Sequence, residues 1–229
     1  MKKTVLLSAL FALLLGACRS LHVSDFHTTQ AIPQRLPSLG LLVHERSFAD
    51  AFYAALDHDM QFRYTYIPDP WEVYGKTDQS MNDVFHALDN ELFDNVNVSD
   101  KERYGHARFK LLYYQRRNSG WGWIIPSVAT FWTANLLGMP CSVIRIDLEL
   151  QMEITDAHGK VLGQYKAPGM GKGKIAAYHG YDGLTAVRKA NLVAIQNAFS
   201  TIKTNLATDI PTLSEQLKAA GTVHPLDRK

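Results

Sequence analysis

The glycine–lysine run YKAPGMGKGKIA at 165–176 is the first candidate for chemistry in this chain. Glycines let backbone N–H groups approach a phosphate closely, and lysines supply opposing charge. A phosphate-cradling loop, G-x-x-x-x-G-K-[ST], built on Gly173 and Lys174 needs glycine at 168 and a hydroxyl at 175. The chain has Pro168 and Ile175 there. The dinucleotide pattern fares better, because Gly171, Gly173 and Ala176 meet its looser form. That pattern also needs a parallel strand before it and an acid about 20 residues later, and Gln196 stands at that distance. The run is therefore expected to be a tightly turned or mobile glycine loop that holds no cofactor.

Other catalytic patterns are sparse. The sequence has no H-E-x-x-H, C-x-x-C or G-x-S-x-G, and its nine histidines include no pair spaced three or four apart. An S-x-x-K match at Ser200 and Lys203 has no S-D-N or K-T-G beside it and reads as chance. Asp89, Glu91 and Asp94 flank an apolar stripe and are read as solvated positions rather than an acid/base cluster. No catalytic or metal-binding residue is assigned. Cys141 is expected to be a small buried hydrophobe. The enzyme alternative is a site assembled from distant residues that uses its thiol.

The N-terminus carries a sharper signal. Lys2 and Lys3 precede an apolar run, Val5 to Leu15, which is too short to span a bilayer and ends in small residues. Leu15-Gly16-Ala17-Cys18 resembles the lipobox of bacterial lipoproteins. That resemblance implies a signal peptide at 1–17, removed before Cys18, and a diacylglycerol on the Cys18 sulfur with further acylation of the new N-terminus. Each buried CH₂ adds about 0.8 kcal/mol, so two or three chains hold a protein firmly on its membrane. Arg19, not Asp, follows the cysteine. The resemblance then implies the outer membrane, with the domain facing the periplasm.

Loss of residues 1–17 removes Lys2 and Lys3 and no acid, which leaves 22 basic residues against 22 acidic ones. A formally neutral chain gives no electrostatic case for nucleic acid. With Cys18 acylated, Cys141 has no disulfide partner within the chain. Residues 18–37 read as the lipidated cysteine and a tether, and 38–229 as a single domain.

The elements within that domain follow from periodicity. LGLLVHE (39–45) reads as a strand, and a first helix starts near Ser47 with Phe48, Phe52 and Leu56 at steps of four. Residues 63–75, with Pro68 and Pro70, read as an edge strand or loop. A second helix is expected to be capped at Ser80 and Asp83, with a stripe of Met81, Val84, Phe85, Leu88 and Leu92. Residues 106–117 read as a strand rich in aromatic and basic side chains. In it Arg108, Lys110, Leu112 and Tyr114 share one face. Ile144, Ile146, Leu148, Leu150, Met152 and Ile154 alternate with polar residues in a long half-buried strand, and TDAHGK turns it back. A last long helix presents Ala190, Ala194 and Ala198 for close approach to a sheet. The expectation is an α+β fold: an antiparallel or mixed sheet with a long hairpin at about 142–167, packed by two to three helices.

One segment stands apart. From Asn118 to Ile144 there is no charged residue, and three of the four tryptophans lie there. Its glycines, Pro126 and Asn135 make it a poor membrane span. Two readings stand: an apolar loop or helical hairpin packed on the domain's own core, or a surface that meets a membrane or another protein through Trp121, Trp123, Ile124, Ile125, Phe131 and Trp132, since tryptophan favours such boundaries.

The order of elements is similar, in outline only, to small α+β envelope lipoproteins of the curli-secretion and TolB N-terminal-like group. No motif carries residues across. Together these features lead to the expectation of a membrane-anchored envelope lipoprotein, a non-catalytic binding or assembly module. Its partners would be the membrane, through Cys18, and an envelope protein, with self-association left open.

Overall fold

The computed structural model describes residues 32–62, 70–98, 102–119, 121–136, 139–176 and 183–223. Cys18, the tether up to residue 31 and residues 63–69 lie outside that set. The side chains of Trp121, Trp123 and Ile124 lie outside it too.

The fold is α+β around one mixed sheet. Its strands are β1 (Leu39–Val43), β2 (Gly105–Ser119), β3 (Ser142–Asp156) and β4 (Val161–Ile175), in spatial order β1-β2-β3-β4. β1 runs parallel to β2, and the other pairs are antiparallel. Six helical stretches accompany the sheet among the described residues: α1 (Glu45–Phe62), α2 (Pro70–Glu91), α3 (Trp121–Ala129), α4 (Thr133–Leu136), α5 (Gly183–Leu206) and α6 (Ile210–Ala220). A π-helical turn, Leu92–Val96, extends α2.

Alternation along β3 buries Ile144 through Ile154 against α5, and Phe48, Phe52, Val84, Leu88, Phe109 and Phe199 join the same cluster. The rings of Phe109 and Phe199 lie 5.6 Å apart, centroid to centroid, and those of Phe48 and Phe85 5.4 Å apart. The opposite face of the sheet is polar. Arg117 and Arg145 both reach Asp147 there, at 3.0 and 3.1 Å.

The glycine run is not a loop. Residues 161–175 form one unbroken strand, so the hairpin extends to 142–175. Gly169, Gly171 and Gly173 share the core face, where a Cβ would lie 1.9–2.0 Å from the carbonyl oxygens of Ala194, Ala190 and Ala186 respectively. Two strand residues rise about 6.6 Å and four helix residues about 6 Å, so the two repeats keep step. Alternate glycines therefore seat the alanine stripe of α5 directly on β4. Lys166, Lys172 and Lys174 point to the open face, away from any cradle.

Three other expectations are corrected. Ser80 and Asp83 lie well inside α2, which starts at Pro70, a residue suited to the first helical turn. Their side chains tie α2 to α5: Asn191 Nδ2 donates to Ser80 Oγ at 2.9 Å, and Arg188 pairs with Asp83 at 2.7 Å. Glu91 is buried, not solvated, and pairs with the equally buried Lys203 at 3.1 Å. In β2 a bulge at Leu112 shifts the register, so Tyr114 turns to the core side and packs on Phe52, 5.1 Å between centroids. Its hydroxyl donates to Asn191 Oδ1 at 2.9 Å.

Candidate functional site

β2 ends at Ser119 and β3 starts at Ser142, and the chain between them leaves the sheet as α3 and α4. These two helices pack chiefly on each other. They carry no charged residue, and none of their described apolar side chains joins the main core. Pro126 sits inside α3, and the helix stops one turn later. Thr130 N–H and Oγ1–H both donate to Pro126 O, at 3.1 and 2.9 Å.

The stop itself is unusual. Trp132 N–H donates to Ser127 O at 2.8 Å and Phe131 N–H to Val128 O at 3.0 Å. This nested pair of bonds normally places glycine in the left-handed conformation just past the helix. Here the position is filled by Phe131 (φ 47°), followed by Trp132 (φ 63°). Left-handed backbone costs an L-residue roughly 1–2 kcal/mol, and residues held that way cluster at functional sites.

The strain brings no burial in return. Phe131 is 87% exposed, Ile125 72%, Val128 56% and Trp132 53%. Thus, of the six residues singled out from the sequence, the three whose side chains are described (Ile125, Phe131 and Trp132) are all exposed, on one short excursion. Ser127 and Asn135 are buried beneath it. Thr133 Oγ1 donates to Thr130 O at 2.6 Å, which helps hold the turn.

Cys141 is half-buried at the base of the excursion. Its one hydrogen-bonding side-chain neighbour among the described residues is Asn135 Nδ2, at 3.3 Å from Sγ. No described histidine or acid reaches it, so the geometry supplies no base to the thiol. The described residues hold no cluster of three metal-ligating side chains, and none of the described helices is long and apolar enough to cross a membrane.

A second feature had no counterpart in the sequence reading. A groove of about 820 Å³ runs between α1 and the outer side of β2, past the end of β1. Ser47, Asp50, Ala51 and Ala54 form one wall, and residues 110–116 form the other. The sequence signal was weak: small residues on the outer side of α1, and a β1 much shorter than its neighbour.

Comparison with known proteins adds little. No family model and no curated protein matches the sequence. Among solved structures, the chain is similar to a candidate lipoprotein from Caulobacter crescentus CB15 at 10% identity. The match covers 58% of this chain and 79% of that one, with a TM-score of 0.33. A likeness at that level carries no argument about fold or function.

Proposed function

We propose that this chain is an envelope lipoprotein, anchored through Cys18, whose domain binds a protein partner through the α3–α4 excursion and performs no catalysis. The observation that carries this reading is the pair Phe131 and Trp132, held in left-handed backbone and exposed at 87% and 53%. A sequence free to relax would place glycine or a polar residue there. Two aromatic rings held out at a conformational cost match the large, rigid anchors found at interface hot spots.

Position favours a protein over the anchoring membrane. The chain enters the sheet at Leu39, paired with Gly105, while the excursion leaves from Ser119 at the other end of β2. Fifteen extended residues separate those ends, a span of roughly 50 Å. The excursion thus leaves the sheet at the end opposite to the one where the chain arrives from the Cys18 side. The outer membrane as the site of the anchor, and the periplasm as the space the domain faces, rest on the lipobox and Arg19.

A photo-crosslinking amino acid at Phe131 in living cells tests the proposal. A discrete protein adduct, absent with the same group at Lys166 on the open face and weakened by Cys18→Ser, is the expected result. Equal yields from both positions, or lipid adducts alone, would refute it.

A further inference from the structure

Strand β4 forms one margin of the sheet, and among the described residues it pairs with β3 alone, from Val161 to Ile175. Ile175 O accepts from Cys141 N–H at 2.7 Å, on the β3 side. The odd-numbered residues from 165 to 175 therefore turn their N–H and C=O groups toward β3, and the even-numbered ones turn theirs outward. Among the described residues a single hydrogen bond meets that outer side: Asn197 Nδ2, on α5, donates to Met170 O at 2.7 Å. An open edge of 15 residues is a template for another chain, and a second copy of the same strand is always at hand.

Three features stand in the way of that pairing. Pro168 takes an outward position at the midpoint of the strand, where it costs the β3 ladder no bond and leaves the edge without a donor. Asn197 already occupies the acceptor two residues further on. Lys166, Lys172 and Lys174 flank these two positions and are exposed on the open face.

Their combined effect follows from register. Two copies related by a two-fold axis would pair β4 with β4 antiparallel. Centred on Pro168, the pairing of longest overlap loses both bonds of the central pair. It also loses one bond in each flanking pair of Lys166 with Met170. Centred on Gly169, the pairing sets Lys166 opposite Lys172, and centred on Met170 it sets Lys166 opposite Lys174. Like charges directly opposite each other destabilise a strand pair.

We infer that Pro168, Asn197 and these lysines form a guard that keeps the β4 edge from pairing with a second copy of the chain. The inference does not rest on the α3–α4 reading: it uses backbone and charge on a different element.

The test compares the full chain in neutral detergent with a variant combining Pro168→Val, Asn197→Ala, Lys166→Thr and Lys172→Thr. Sedimentation over a range of concentrations reads self-association, and amide exchange reads where it occurs. In the unaltered chain the amides of Lys166, Met170 and Lys172 should exchange about tenfold faster than those of Ala167, Gly169 and Gly171, which face β3. The combined variant should self-associate at least about tenfold more strongly, with those outward amides slowed on association. All four positions are exposed, and valine and threonine suit a strand, so the melting temperature should not fall. Pro168→Val alone changes one exposed position and should strengthen association about threefold, which keeps the test independent of how the combined variant folds. Slow exchange of the outward amides in the unaltered chain would overturn the inference, because the edge would then be covered. So would a folded variant that stays monomeric, or association that leaves those amides unchanged.

Discussion

A methyl group placed on Gly171 would lie 1.9 Å from the carbonyl oxygen of Ala190. Real Cβ atoms do not approach backbone oxygen so closely, so strand β4 and helix α5 would have to part. Gly171→Ala should therefore destabilise the domain by about 3 kcal/mol or more, although alanine normally suits an element interior better than glycine. Gly122 is the control. It is exposed in α3 with nothing within 4 Å of a built Cβ, so Gly122→Ala should stabilise by up to about 1 kcal/mol. Urea denaturation of the two variants checks both signs. Lys172→Ala with Lys174→Ala should leave stability intact, since both side chains are exposed on the open face.

Much of the fold was legible because it follows single-element periodicity. Ile144 to Ile154 alternate without a break, and Gly159 takes the positive φ (82°) of the expected turn. The glycine run was misread because its meaning lies in a pair of elements. Alternating glycines resemble a turn by composition, and only the alanines at 186, 190 and 194 explain why a side chain is forbidden there. Glu91 was misread for the same reason, its partner Lys203 lying 112 residues away. The candidate surface was legible as composition, an uncharged span with three tryptophans. The left-handed backbone of Phe131 and Trp132 was not, since no local residue preference calls for it.

The Lys203–Glu91 pair lies 3–4% exposed, with the ammonium also 5.7 Å from the centre of the Phe199 ring. Removing one charge strands the other away from water. Lys203→Met alone should cost about 3–5 kcal/mol, whereas Lys203→Met combined with Glu91→Leu should recover most of that loss. A double-mutant cycle by chemical denaturation checks it.

Acid should weaken the fold through His106. Partial burial, first, and then the charges of Arg103 and Arg108 hold its pKa below the ordinary 6.5. The unfolded chain then takes up a proton at a pH where the folded chain does not. The stabilising contribution is full above pH 6.5 and is lost as pH falls through the lower folded value. His106→Gln should flatten the stability profile in that acid window, as measured by melting at a series of pH values.

The most direct test of the contact-surface claim is Phe131→Gly, with a photo-crosslinker at neighbouring Ile125, itself 72% exposed. Glycine removes the left-handed penalty at Phe131, so the melting temperature should rise by an amount equivalent to about 1–2 kcal/mol. The yield of the protein adduct from position 125 should fall, because a hot-spot ring is gone. A lower melting temperature with an unchanged adduct yield would contradict the claim: Phe131 would then be a structural residue, and the excursion would not be where the partner docks.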